Sequence, residues 1–303
     1  MTNTTKALQY YCGYIAIVGR PNVGKSTLLN HLLKQKLSIT SRKPQTTRNT
    51  ILGIKTIDNF QMVFVDTPGM HLGEKKAMNR MMNRSASSVL HDVDLILFVV
   101  DRLTFNREDQ FVLQQIRQTQ LPVILVINKI DKLEKKADLL PYLAEVSARE
   151  QFSEIVPVSA MNEQDIEHLE AVIKPYIPPA DSFFYDAEQI TDRSDRFVVS
   201  EIIREKITRM LGEELPHNVA VEIEDFEEKA SIFHIHALIL VEKKGQKNIV
   251  IGDKGSRIKQ IGQTAREDIE KLLEKKVNLK LWVKVRSGWS DDERALKSLG
   301  LDN

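Results

Sequence analysis

Apolar and polar positions fall into alternating blocks over the first 178 residues. Short apolar, β-rich runs occupy 14–18, 51–57, 62–65, 95–100, 123–127 and 155–158, and helical spacing appears from 28 onward and near 108–119, 137–151 and 162–176. Apolar runs with little polar alternation are those of strands covered on both faces. The pattern therefore predicts an α/β domain with a mostly parallel sheet, right-handed crossovers, and ligand loops gathered beyond the carboxyl ends of the strands. The runs at 51–57 and 62–65 are separated by a turn at Asp58 and Asn59 and are expected to be neighbours. Pro175, Pro178 and Pro179 end the last helix, and the acidic stretch 181–195 has no period. These signals divide the chain into a first domain, 1–178, a linker, 179–195, and a second domain with a tail, 196–303.

The second domain has a different order. A helix over 197–211 carries Val198, Ile202, Ile203, Ile207 and Leu211 on one face. Strands follow at 219–226 and 232–241, the latter aligning Phe233, Ile235, Ala237, Ile239 and Val241. A short helical turn at 246–251, a glycine loop, a helix over 256–274 and a strand at 279–285 complete an α-β-β-α-α-β order, with no internal repeat.

Composition narrows the class. The 303 residues are 42% hydrophobic and 28% charged, as in ordinary globular chains, and the longest solid apolar run, 95–100, is too short to span a bilayer. A single cysteine, Cys12, excludes an internal disulfide framework, no Cys/His cluster has zinc spacing, and nothing at the amino terminus reads as a secretion signal. A reducing cytoplasmic setting is expected. The net charge of +1 hides an asymmetry: 181–228 has 5 Lys/Arg against 14 Asp/Glu, whereas 243–286 has 13 against 5. That asymmetry predicts a polyanion-facing side in the second domain.

Candidate chemistry begins with residues 19–27. Gly19, Arg20, Pro21, Asn22, Val23, Gly24, Lys25, Ser26 and Thr27 fit the GxxxxGK[ST] phosphate loop, lying between a strand and a helix. Backbone N–H groups there wrap phosphates, the lysine reaches the outer two, and the serine hydroxyl binds Mg²⁺. Asp66, Thr67, Pro68 and Gly69 follow the strand at 62–65, where a nucleotide-hydrolysing protein places a metal-associated carboxylate and a γ-phosphate-sensing N–H. Asn128, Lys129 and Asp131 follow the strand at 123–127 and suit guanine: Asp131 accepts from N1 and the exocyclic amine, Asn128 ties the loop, and the Lys129 stem covers the ring. Ser159 and Ala160 complete the base site, with the Ala160 N–H aimed at guanine O6.

These four motifs, in this order, resemble the Ras-like GTPases of the translation-factor class and, more closely, the Era family. The segment Pro44, Gln45, Thr46, Thr47, Arg48 is similar to the first switch of that family. The resemblance implies that Thr47 binds Mg²⁺ together with Ser26 and Asp66, and that Lys25, Thr47 and Gly69 serve catalysis. It continues through the second domain, implying a type II KH fold whose Gly252, Asp253, Lys254 and Gly255 clamp about four single-stranded nucleotides. Lys247, Lys254, Arg257 and Lys259 would neutralise phosphates, and Ile251 and Ile258 would floor the base groove. The family implies a GTPase acting on the 3′ end region of small-subunit ribosomal RNA in maturation of the 30S-type subunit, a monomer with at most peripheral contact at the cytoplasmic membrane face. Ordering of Thr47 and Gly69 by Mg²⁺-GTP would alter a domain interface near 180–195.

One departure from Ras affects mechanism: Met70 stands where Ras-like enzymes keep the water-orienting glutamine. Slow intrinsic hydrolysis is expected, with Asn22 either helping to hold a potassium ion or capping its own loop. Met78, Met81 and Met82, in a second switch over 70–84, suit core packing or a partner surface. His234 and His236 share a strand face without a third ligand, Trp282 suits core or groove wall, and Trp289 suits RNA stacking or the terminal helix. Two other readings remain: a signalling or membrane-surface GTPase whose second domain binds protein or lipid, and an RNA-binding protein that merely holds nucleotide.

Overall fold

The computed structural model describes residues 9–41, 46–70, 72, 77–211 and 219–298. Pro44 and Gln45 of the first switch segment, and 71 and 73–76 of the second, lie outside the described residues. By contacts between Cα atoms the chain forms two compact units: Met1–Ser38, Thr50–Leu72 and Asn83–Asp192 in the first, and Ile39–Asn49, Gly73–Met82 and Arg193–Asn303 in the second.

In the first unit, β1 (Tyr10–Val18), α1 (Lys25–Leu33), β2 (Ile51–Ile57) and β3 (Phe60–Asp66) are followed by the end of α2 (Ala77–Val89). Then come β4 (Leu95–Asp101), α3 (Arg107–Ile116), β5 (Val123–Asn128), α4 (Leu139–Arg149), β6 (Glu154–Pro157), α5 (Glu163–Ile173) and the short β7 (Pro179–Ala180). The sheet order is β2-β3-β1-β4-β5-β6, with β7 antiparallel on β1. The strands β3, β1, β4, β5 and β6 are parallel, and β2 returns antiparallel beside β3, as the sequence pattern predicts. Along β1, Ile15 and Ile17 face one core with Leu28, Leu29 and Leu32 of α1, while Ala16 and Val18 face the other with Val112 and Ile116 of α3. Both faces are covered, which is why these strands read as unbroken apolar runs; each fully buried leucine contributes about 1.5–3 kcal/mol.

Residues 181–192 are not loose despite their lack of period. The buried amide of Gln61 on β3 donates to the Tyr185 carbonyl (2.9 Å) and accepts from the N–H groups of Phe184 and Tyr185, both at 2.9 Å. The buried Cys12 thiol donates to the Ser182 carbonyl (3.3 Å). A fully buried glutamine must use its donors and acceptors, and here it supplies the order that local periodicity does not.

In the second unit, α6 (Asp195–Met210), β8 (Val219–Lys229), β9 (Ile232–Val241), α7 (Lys244–Ile251), α8 (Ser256–Leu273) and β10 (Lys276–Val285) give the predicted α-β-β-α-α-β order, and α9 (Glu293–Ser298) follows. The sheet runs β10-β9-β8, with β9 and β10 parallel, β8 antiparallel, and a bulge between Ile223 and Asp225. Helix α6 buries its predicted apolar face, but also Glu201, Arg204, Glu205 and Thr208. Those charges have polar partners inside the unit. Arg204 makes two 2.6–2.7 Å bonds to the Glu201 carboxylate and donates to the Thr46 carbonyl (2.6 Å), Glu205 accepts from the Thr40 N–H (3.2 Å), and Arg48 donates to the Val219 carbonyl (2.8 Å). Burial and the Arg204 charge push the Arg48 guanidinium down to about 9, with Glu201 opposing. Thr40, Thr46 and Arg48 are thus seated by charge-assisted bonds, each of which would be costly to break singly.

A second cluster joins Met78 and Met82 to Ala220, Leu240, Trp289 and Leu296. The methionines are core residues of this unit, and Trp289 is fully buried with the terminal helix. Asp291 accepts from the Ala77 N–H (2.8 Å) at the start of α2. Trp282 differs from expectation: it is 47% exposed and meets His236 edge-on at 5.3 Å on the outer sheet face, because strand alternation sends Val277, Leu279 and Leu281 inward instead. Among the described residues no helix is long and apolar enough to cross a membrane.

Candidate functional site

Parallel pairing assembles the first site. Ile17 opposite Asp66, and Asp101 opposite Asn128, bring the ends of β3, β5 and their loops beside residues 19–27. Gly24 has φ 102°, and a Cβ there would lie 2.3 Å from Asn128 Nδ2. A Cβ on Gly69 would meet Pro21 backbone atoms at 2.8–2.9 Å. Glycine at these positions therefore lets two remote loops close on the phosphate loop.

Lys25 is buried and donates through Nζ to the carbonyls of Gly19 (2.9 Å) and Arg20 (3.1 Å). Burial pushes its ammonium down to about 8, against the opposing pull of Asp66. Burial pushes the Asp66 carboxyl up, resisted by Lys25 and by hydroxyl bonds from Ser26 (2.8 Å) and Ser38 (2.9 Å), both to Oδ2. Asp66 Oδ1 is buried without a hydrogen-bond partner. A carboxylate oxygen left bare beside a serine hydroxyl and a lysine suits a hard divalent cation or its water, so the donor set fits Mg²⁺. Thr67 Oγ1 donates to the Ile17 carbonyl (3.0 Å), and Pro68 and Gly69 are buried. Thr27 lies in α1, and Arg20 pairs with the fully buried Asp109 of α3 at 3.1 Å.

The base loops are tied to the phosphate loop through Asn128. Its Nδ2 donates to the Val23 carbonyl (2.8 Å), while Oδ1 accepts from the N–H groups of Lys129 (2.7 Å) and Ala160 (3.0 Å). The Ala160 N–H, expected to face guanine O6, is therefore engaged by Asn128, because a buried N–H takes the nearest acceptor. Lys129 Nζ bridges the Asn22 carbonyl (2.5 Å) and Asp101 Oδ2 (2.8 Å), and Lys129 with Arg102 overcomes burial to hold the Asp101 carboxyl below its usual range. Asn22 has φ 65° and, like Asp131, an exposed side chain. The Ser159 N–H donates to Asp165 (2.7 Å). Met70 is buried among Val18, Phe98 and Val100, so the glutamine position has become core. Thr47 is buried and belongs to the second unit, whereas Ser26 and Asp66 belong to the first.

The second site is built locally. Gly252 has φ 74° and a Cβ there would meet Arg257 Cβ at 2.7 Å; Gly255 has φ 80° with open space around it, and Lys254 between them has φ 46°. Asp253 and Lys254 are exposed, and Gly255 caps α8, leaving helix N–H groups toward an anion. Arg257 donates through one guanidinium nitrogen to the Ile249 carbonyl (2.6 Å), an exposed bond that braces the loop. Lys247 and Ile251 lie on α7, both partly buried. Ile258 and Lys259 line a groove of about 440 Å³ between α8 and β10. Sequence reading missed its other walls, Gly262, Gln263 and Arg266 on α8 and Asn278, Leu279 and Leu281 on β10. The i, i+4 series 258, 262, 266 was the available signal.

A phosphate-loop domain whose loops gather Asn128, Lys129, Ser159 and Ala160 beside residues 19–27, together with a KH fold, defines a two-domain RNA-associated GTPase class. The 50S ribosome-binding GTPase family matches residues 14–129, and the KH domain family matches 214–290. GTPase Era of Pseudomonas aeruginosa is 57% identical over 289 residues, 95% of this chain and 94% of its own length; GTPase Era of Marinobacter nauticus is 56% identical over 292 residues, 96% and 95%. The Aquifex aeolicus Era structure bound to GDP·AlF4⁻ superposes with a TM-score of 0.94 at 38% identity, covering 97% of this chain and all of that one. A structure of Era with MgGDPNP and nucleotides 1506–1542 of 16S ribosomal RNA gives 0.94 at 37%, with the same coverage. The chain belongs to the Era family of GTPases.

Proposed function

We propose that this chain is a guanine-nucleotide switch controlling a clamp for the 3′ end region of small-subunit ribosomal RNA, acting in maturation of the 30S-type subunit in the cytoplasm. Gly19 to Thr27 holds the phosphates, Lys25 and Gly69 meet the γ-phosphate, and Ser26, Asp66 and Thr47 hold Mg²⁺. Asn128, Lys129, Asp131, Ser159 and Ala160 form the guanine site. The bare, buried Asp66 Oδ1 beside the Ser26 hydroxyl carries the metal assignment. The relative solved with both MgGDPNP and 16S ribosomal RNA supports the joint role. Bound Mg²⁺ supplies charge stabilisation at the phosphates, and Met70 leaves no side chain to orient water, so hydrolysis is slow without a monovalent cation or partner. Asn22 is assigned to potassium: its exposed side chain within the phosphate loop supports this, and Asn22→Ala then abolishes potassium stimulation.

The clamp comprises Gly252 to Gly255 with Lys247, Ile251, Ile258 and Lys259, Arg257 bracing the loop. The basic stretch 243–286 adds at most peripheral attraction to anionic membrane headgroups. Replacing Lys254 and Gly255 with aspartate tests the assignment: RNA binding is expected to vanish with GTP affinity intact, and retained RNA binding refutes it.

A further inference from the structure

The geometry points to Ser38 as a positioning residue for the metal site, held in place by Asn30. This inference rests on the assignment of Mg²⁺ to Ser26 and Asp66. Ser38 is fully buried, and its hydroxyl donates to Asp66 Oδ2 at 2.9 Å, the same oxygen that accepts from Ser26 at 2.8 Å. Its place is fixed by one side chain: Asn30 Oδ1 accepts from the N–H groups of Leu37 (2.9 Å) and Ser38 (2.8 Å), and Asn30 Nδ2 donates to the Ser38 carbonyl (2.7 Å). Asn30 lies on α1, four residues after Ser26, so the helix that presents the serine also presents the clamp.

The carboxylate torsion of aspartate is broad, and burial alone does not choose which oxygen faces the cation. Two hydroxyls converging on Oδ2 choose it, leaving Oδ1 bare. Ser26 has a second task, lending its oxygen to the cation; Ser38 has the carboxylate as its side-chain partner and keeps the orientation while Ser26 does so. Outer partners of this kind commonly change metal affinity by about 10–100-fold when removed.

The test uses the full chain and a fluorescent GDP, titrated with Mg²⁺ and, separately, in excess chelator. Ser38→Ala is expected to raise the Mg²⁺ concentration for half-maximal effect about tenfold while leaving GDP affinity in chelator within about twofold, and Ser38→Thr to restore the parent response. Asn30→Ala is expected to shift the Mg²⁺ response in the same direction. An unchanged Mg²⁺ midpoint in Ser38→Ala, or an equal loss of GDP affinity with and without Mg²⁺, overturns the role. A parent chain whose GDP binding ignores Mg²⁺ overturns the metal assignment itself, and with it this inference.

Discussion

The phosphate loop and the GxxG loop use the same element, glycines ahead of a helix amino terminus, in opposite ways. At residues 19–27 nearly every constraint is remote: Gly24 abuts Asn128, Pro21 abuts Gly69, and Asn128 reaches back to Val23. At 252–255 the constraints are local, with Gly252 under Arg257, Arg257 bonded to Ile249, and Gly255 in open space. The first site is preorganised for one ligand of fixed shape; the second fixes only backbone conformation and leaves charge and groove to adapt to a flexible polymer. Specificity for guanine should therefore be brittle, and RNA binding graded.

The largest break in that comparison is Gly24→Ala. Strain at φ 102° and displacement of the Asn128 amide together should cost about 3–4 kcal/mol and abolish measurable GDP binding, read by thermal unfolding and nucleotide fluorescence. Asn128→Ala removes three hydrogen bonds of about 1 kcal/mol each, so about 3 kcal/mol of stability and most guanine-over-adenine selectivity should go, checked by competition with ATP. Gly252→Ala should weaken RNA binding about tenfold, against a few-fold for Gly255→Ala, since one site has a Cβ clash and the other only the cost of positive φ. Equal effects would mean that loop packing does not matter. Smallest is Lys259→Gln, which should flatten the logarithmic salt dependence of RNA binding by about 0.7 with GTP affinity unchanged.

Those two designs also explain what was legible beforehand. Local signals were readable: Gly19 to Ser26 between strand and helix, the apolar strand runs, and the glycine loop within its α-β-β-α-α-β frame. Features made by distant pairing were not. Nothing in the period of α6 announces that Arg204 and Glu205 are buried, because Thr46 and Thr40, which they meet, lie about 160 residues earlier. Ser38 gives no sign in sequence of reaching Asp66. The Ala160 N–H was assigned by motif, and the buried acceptor that engages it belongs to another loop. Arg266 and Asn278 enter the groove only once α8 lies beside β10.

The central claim is that nucleotide state controls the clamp. Thr47, Met78 and Met82, expected to lie in the switches, fall in the same compact unit as the KH fold, so a nucleotide that reorders them should be felt there. The direct measurement is the affinity of the full chain for the 3′ end region of small-subunit ribosomal RNA with Mg²⁺ and either a non-hydrolysable GTP analogue or GDP. A difference of about fivefold or more in favour of the GTP analogue is predicted; equal affinities would contradict the claim, since a ligand without differential affinity shifts no equilibrium.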